Sequence, residues 1–179
     1  MRDWNLIVTI SQWHFRRAFR LLRPLGAVAR TRFYNVLALR VDDLDAALEA
    51  LRQATAEDER AAETITRVAM APDVFEFESE ASFTSAAQQV LARYLPQLAG
   101  GTFHVRVHRR GAPQSLTGYA AERLLGGFVW EELNRAGTPA RVTFDNPDAV
   151  INVETIDDRA GMALLSRENL EKYAFLRPD

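Results

Sequence analysis

The sequence predicts an α+β fold in two parts, residues 1–80 and residues 81–179 of the 179-residue chain. Three observations carry that reading. Short β-branched runs alternate polar and apolar residues with a period of two, the mark of strands. Between them, apolar residues recur at i, i+3, i+4 and i+7, the mark of amphipathic helices. The first 80 residues place these segments in the order strand–helix–strand–strand–helix–strand.

Trp4 to Ile10 opens the chain as a strand, with Trp4, Leu6, Val8 and Ile10 on one face. Ser11 suits a helix N-cap, and from Gln12 to Arg23 the period changes. Phe15, Ala18, Phe19 and Leu22 form the expected buried stripe, while Arg16, Arg20 and Arg23 repeat opposite it beside Arg17. Pro24 and Gly26 stop the helix. Ala27–Thr31 and Phe33–Val41 read as a strand pair carrying Arg30 and Arg32. Asp42 and Asp43 start a second helix over Leu44, Ala47, Leu48 and Leu51, followed by a polar, acidic piece from Glu57 to Glu63. Ile65–Met70 and Val74–Phe77 are strand-like, separated by Pro72. This order fits a ferredoxin-like βαββαβ unit.

Ser82 to Leu98 is helical, with Phe83, Ala87, Val90, Leu91, Tyr94 and Leu98 as its apolar side. Gly100-Gly101 closes it. In the strand Phe103–Arg110, Phe103, Val105 and Val107 point one way, and His104, Arg106, His108 and Arg110 the other. Arg109 and Gly111 begin a loop running to Gly118. Tyr119–Ala136 is a long helix with Gly126-Gly127 in its middle; either close packing or approach of a ligand to the backbone accounts for that pair. Arg141–Phe144, Val150–Thr155 and Met162–Leu165 are strands, with turns at Asp145–Asp148 and Asp157–Gly161. A polar helix, Arg167–Tyr173, follows.

Composition excludes several classes. There is no cysteine, which removes disulfides, thiolate nucleophiles and cysteine metal sites. The longest stretches without Asp, Glu, Lys or Arg, such as Trp4–Phe15, have 12 residues; a membrane span needs roughly 20. No signal-peptide pattern is visible, so the expected compartment is the cytoplasm, with no membrane partner. His104 and His108 lie four apart on a strand, ~13 Å, too far to share one metal ion. No phosphate-binding glycine motif and no nucleophile elbow occurs. The expectation is therefore a binding module, without cofactor, metal or catalytic constellation.

The net charge of −2 averages unlike blocks: +7 over 1–41, −9 over 42–80, +4 over 81–144 and −4 over 145–179. All cations but Lys172 are arginine. Basic blocks of arginine suit a polyanion, because a guanidinium binds phosphate with two parallel bonds and stacks on bases.

The segment Phe103-His104-Val105-Arg106-Val107-His108-Arg109-Arg110-Gly111, a helix, and then Arg141-Val142-Thr143-Phe144-Asp145-Asn146-Pro147-Asp148 with Asn152-Val153-Glu154 resemble a THUMP domain. The most specific marks are the arginine pair and the Asn146-Pro147-Asp148 turn with its following Asn152-Val153-Glu154. Asp158–Met162 is similar to the last family strand. Thr143 departs from the pattern, standing where the family often has an acid, and Pro113 lies in a variable loop.

The resemblance implies an α+β chain in which a ferredoxin-like domain precedes a THUMP-type α/β domain. It implies binding of tRNA at the acceptor stem and single-stranded 3′ end, and presentation of that tRNA to a separate modifying enzyme, such as an acetyltransferase acting on cytidine. The physical expectation is one basic RNA-binding surface: Arg106, Arg109, Arg110 and Arg141 on phosphates, His108 on a base or 2′-hydroxyl and Asn146 in the turn, with Arg16, Arg17, Arg20, Arg23, Arg30 and Arg32 extending the track. Two alternatives stay open: a protein-interaction scaffold docking through the acidic block, and an enzyme with an unrecognised site.

Overall fold

The computed structural model of the protein describes residues 2–111 and 117–178. Most of the predicted loop Gly111–Gly118, Pro113 included, lies outside the described residues. The chain divides into two compact units. One runs to Pro72 and takes back Lys172–Arg177; the other spans Asp73–Glu171 and includes Pro178.

In the first unit, β1 (Leu6–Ile10), α1 (Phe15–Leu22), β2 (Gly26–Arg30), β3 (Val36–Val41), α2 (Leu44–Glu57), α3 (Glu59–Thr64) and β4 (Ile65–Met70) follow in chain order. The sheet order is β2-β3-β1-β4, all antiparallel, the ferredoxin-like arrangement. Asn5 extends the β1–β3 ladder with its side chain: its Nδ2 donates to the Val41 carbonyl at 2.9 Å, and its Oδ1 accepts from Val41 N–H at 3.0 Å. The acidic piece after α2 is helical. Asp58 ends α2 and caps α3 by accepting from Arg60 N–H at 2.9 Å.

Two local expectations change. Ser11 does not cap α1; its hydroxyl donates to the Glu63 carbonyl, and the helix begins three residues after Gln12. Trp13 takes up the extra turn at φ 66°. The buried stripe of α1 is only Ala18 and Leu22; Phe15 and Phe19 are half-exposed.

The second unit contains β5 (Asp73–Glu76), α4 (Glu80–Leu98), β6 (Thr102–His108), α5 (Gly118–Arg135), β7 (Arg141–Val142), β8 (Ala149–Ile156), β9 (Arg159–Ser166) and α6 (Arg167–Lys172). Its sheet order is β5-β9-β8-β6-β7, with β6 parallel to both neighbours and β9 antiparallel to β8 and β5. The boundary between the compact units lies at Pro72/Asp73, and the strand-like segment after Pro72 pairs with β9 in the second unit's sheet.

Ser79 opens α4 with a reciprocal cap to Ser82, and all six apolar residues predicted for that helix are buried. With Phe103, Val105 and Val107 of β6 and Leu125, Val129 and Leu133 of α5 they form one buried cluster. β7 stops at Val142, since Thr143 Oγ1 accepts from Asp145 N–H and Asn146 turns the chain at φ 43°.

Candidate nucleic-acid interface

The predicted basic residues separate into three groups. The first gathers on α1 and β2. Arg16, Arg20, Arg23 and Arg30, with Phe15, Phe19 and Pro24, line a groove of about 540 Å³. The Arg30 guanidinium lies over the Phe15 ring at 4.3 Å and over Phe19 at 5.9 Å, and Arg23 lies over Phe19 at 5.7 Å. A guanidinium within about 6 Å of a ring centroid is attracted by the ring face. Arg32 stacks on Phe33 at 5.0 Å. Arg17 is half-buried beside them.

Ion pairing separates two kinds of arginine. Arg52, Arg93, Arg106, Arg110, Arg135, Arg159 and Arg167 are each ion-paired to a carboxylate. Among the described residues, Arg16, Arg17, Arg20, Arg23 and Arg30 have no such pair, and α1 has no acid in its first turn. Arg16 and Arg20 stand one turn apart, ~6 Å along the axis.

The second group lies where β6 ends. Arg109 is exposed. Arg110 is not a free phosphate ligand: its guanidinium is paired with the fully buried Glu154. Its backbone is held too, N–H to Thr155 Oγ1 at 2.8 Å and carbonyl to Asp157 N–H at 2.8 Å. Asn152 donates to Glu154 at 3.3 Å. The Asn152-Val153-Glu154 motif therefore anchors the arginine loop and fixes where Arg109 is presented. Arg106 contacts Glu122 at 3.9 Å, and the His108 ring is bonded to the Pro178 carbonyl at 2.6 Å. The face expected to be open is thus partly occupied, and His104 on it is buried.

Arg141 and Asn146 form the third group. Arg141 pairs with Thr102 at the opposite end of β6, seven residues from Arg109 and so about 23 Å away along the strand. The structure does not join it to the Arg109 loop. Asn146 and Pro147 belong to a clamp: their carbonyls accept from Arg167 at 2.8 and 3.3 Å. Asp148 accepts from Thr102 Oγ1 at 2.7 Å and Thr102 N–H at 2.8 Å. These bonds, aided by Arg167 and Arg141, hold the Asp148 carboxyl below the usual carboxylate range. The clamp fixes the start of β6, which explains the recurring turn without a ligand.

Sequence reasoning missed the aromatic half of the first groove, because helical spacing placed Phe15 and Phe19 in the core. It also missed the exposed Trp13 and Tyr34, beside the α1 and β3 starts, and an apolar cleft along α5. The signal for the cleft was present: Tyr119 and Trp130 stand outside the predicted apolar side of that helix.

The THUMP domain family matches residues 77–165. Curated relatives include the tRNA sulfurtransferases of Salmonella paratyphi B and Salmonella newport, each 42% identical over 72 residues. That stretch is 40% of this chain but only 14% of those enzymes. Among solved structures, TrmN from Thermus thermophilus superposes with a TM-score of 0.61 at 17% identity, over 90% of this chain and 44% of TrmN. A 4-thiouridine synthetase bound to RNA and ATP superposes with a TM-score of 0.56 at 15% identity, over 90% of this chain and 41% of that one. These likenesses to solved structures show the fold alone.

Proposed function

Residues 77–165 of this chain are a THUMP domain, and from that premise we propose that the protein binds tRNA at its acceptor stem and single-stranded 3′ end. It presents the tRNA to a separate modifying enzyme, such as an acetyltransferase, and performs no chemistry itself. The observation that carries the RNA reading is the cluster of Arg16, Arg20, Arg23 and Arg30 around Phe15 and Phe19, in which Arg23 and Arg30 lie over the rings and none has a carboxylate partner among the described residues.

The sulfurtransferase relatives support the substrate class, since their name makes them tRNA-modifying enzymes. The RNA complex of the 4-thiouridine synthetase supports nucleic acid as the ligand of this fold. In this reading Arg16, Arg20, Arg23 and Arg30 neutralise successive phosphates, and Arg109 adds a contact from the second unit. Arg110, held by Glu154, positions that loop rather than binding RNA.

A mobility-shift titration with tRNA, with and without its 3′ CCA, tests the reading. Binding that weakens on removing the CCA is the expected result; no binding at physiological salt refutes it. Purified protein incubated with unmodified tRNA is expected to leave it unmodified, and turnover would refute the adaptor role.

A further inference from the structure

The cleft along α5 has no part in the function proposed above. It encloses about 350 Å³ between β6, α5 and the segment from Val142 to Phe144. Tyr119, Trp130, Val142 and Phe144, all around it, are 70%, 51%, 51% and 69% exposed. Gly126 and Gly127 line its helical side. A Cβ at Gly127 meets nothing within 4 Å, and one at Gly126 comes only to 3.8 Å from Val105. Close packing therefore does not explain this glycine pair; it keeps the cleft open.

We propose that this cleft takes an unpaired nucleobase presenting an amino edge, adenine or cytosine; the proposal rests on the RNA-binding reading. Three observations point to that occupant. Aromatic walls stack on a planar ring of any sequence. The His104 ring supplies one polar contact: its Nδ1 lies 3.1 Å from the Thr143 carbonyl oxygen, which only accepts, so Nδ1 carries the proton. Its Nε2 is left a bare acceptor, buried and without a hydrogen-bond partner in the protein. The Phe144 ring lies against the His104 ring, 5.2 Å between centroids. Being largely exposed, Phe144 turns aside at small cost and uncovers Nε2 for an exocyclic amine. Finally, exposed Arg123 lines the cleft and exposed Arg141 adjoins Val142, placing positive charge where the nucleotide's phosphates would lie. An apolar peptide would leave Nε2 without a counterpart.

The test uses the full chain, AMP, and purine riboside 5′-monophosphate, which lacks only the amine. The reporter is the Trp130 indole N–H resonance, assigned with Trp130→Phe. AMP is expected to shift it at up to ~10 mM, and to bind about fivefold tighter than the deamino analogue, the discrimination one hydrogen bond gives. Gly127→Leu fills the cleft from its open side in a residue that favours helix. It is expected to abolish the AMP shift and to weaken tRNA binding about tenfold, the worth of one stacked base. An unmoved Trp130 signal with AMP overturns the proposal. So does Gly127→Leu binding tRNA like wild type; in that case the apolar face is left for a protein partner, and the RNA reading stands. AMP binding in the cleft by a protein that fails to bind tRNA supports the base site and refutes the RNA reading instead.

Discussion

Three glycines should respond to alanine with different signs, and the reason is legible atom by atom. Gly127 lies inside the 18-residue helix α5, where glycine costs about 1 kcal/mol against alanine. A Cβ there touches nothing within 4 Å, so Gly127→Ala should recover nearly all of that cost. For a chain of this size 1 kcal/mol is worth roughly 2–4 °C in Tm. Gly126→Ala should gain about as much, since its Cβ would meet Val105 Cγ2 at an ordinary 3.8 Å. Gly26 is the opposite case. A Cβ on it would lie 2.2 Å from the Arg40 carbonyl oxygen, backbone in the paired strand β3. Gly26→Ala must push β2 from β3 and should lower stability by about 2 kcal/mol or more, in the range of an overpacked site. Thermal unfolding followed by circular dichroism reads all three. A fall in Tm for Gly127→Ala would refute the reasoning, because it would mean the glycine is needed for packing and not for space.

Other outcomes follow from single side chains. Glu154→Ala should cost about 3–5 kcal/mol by denaturant unfolding, since it strands Arg110 beside a buried site, and should weaken RNA binding by freeing the arginine loop. Tyr94→Phe should cost about 1.5–3 kcal/mol, as the hydroxyl donates to Asp73 Oδ2 at 2.5 Å; burial and that bond push the phenol far above its usual range. Asp148 has a lowered folded pKa, chiefly through Thr102. Its contribution to stability is therefore present above the unfolded carboxylate pKa and lost as pH falls through the folded one. Asp148→Asn should flatten that acid-side loss in a pH series of unfolding curves; an unchanged acid limb would contradict the assignment.

The fold was legible where packing follows periodicity. The six apolar residues of α4 and the alternation of Phe103, Val105 and Val107 translate directly into buried contacts. Strand partnership was not, because Val74 to Phe77 has no local mark saying which sheet it joins; pairing of Asp73–Glu76 with β9, nearly ninety residues on, decides that. The site was half legible. Sequence locates arginines but not carboxylates in space, so it could not tell Arg110, spent on Glu154, from Arg20, which has no such partner. Nor could it tell that the Asn146-Pro147-Asp148 turn and the arginine loop stand at opposite ends of β6. Helical spacing assigned Phe15 and Phe19 to the core, whereas stacked guanidiniums share their faces with solvent.

The arginines of α1 are the centre of the account, and the salt dependence of tRNA binding tests them most directly. Each phosphate neutralised contributes about −0.9 to the slope of log affinity against log salt on duplex and about −0.7 on single strands. The variant Arg16→Ala/Arg20→Ala/Arg23→Ala, whose changes fall on exposed positions, should bind more weakly with a slope shallower by about 2–3. An unchanged slope and affinity in a folded triple variant would contradict the account.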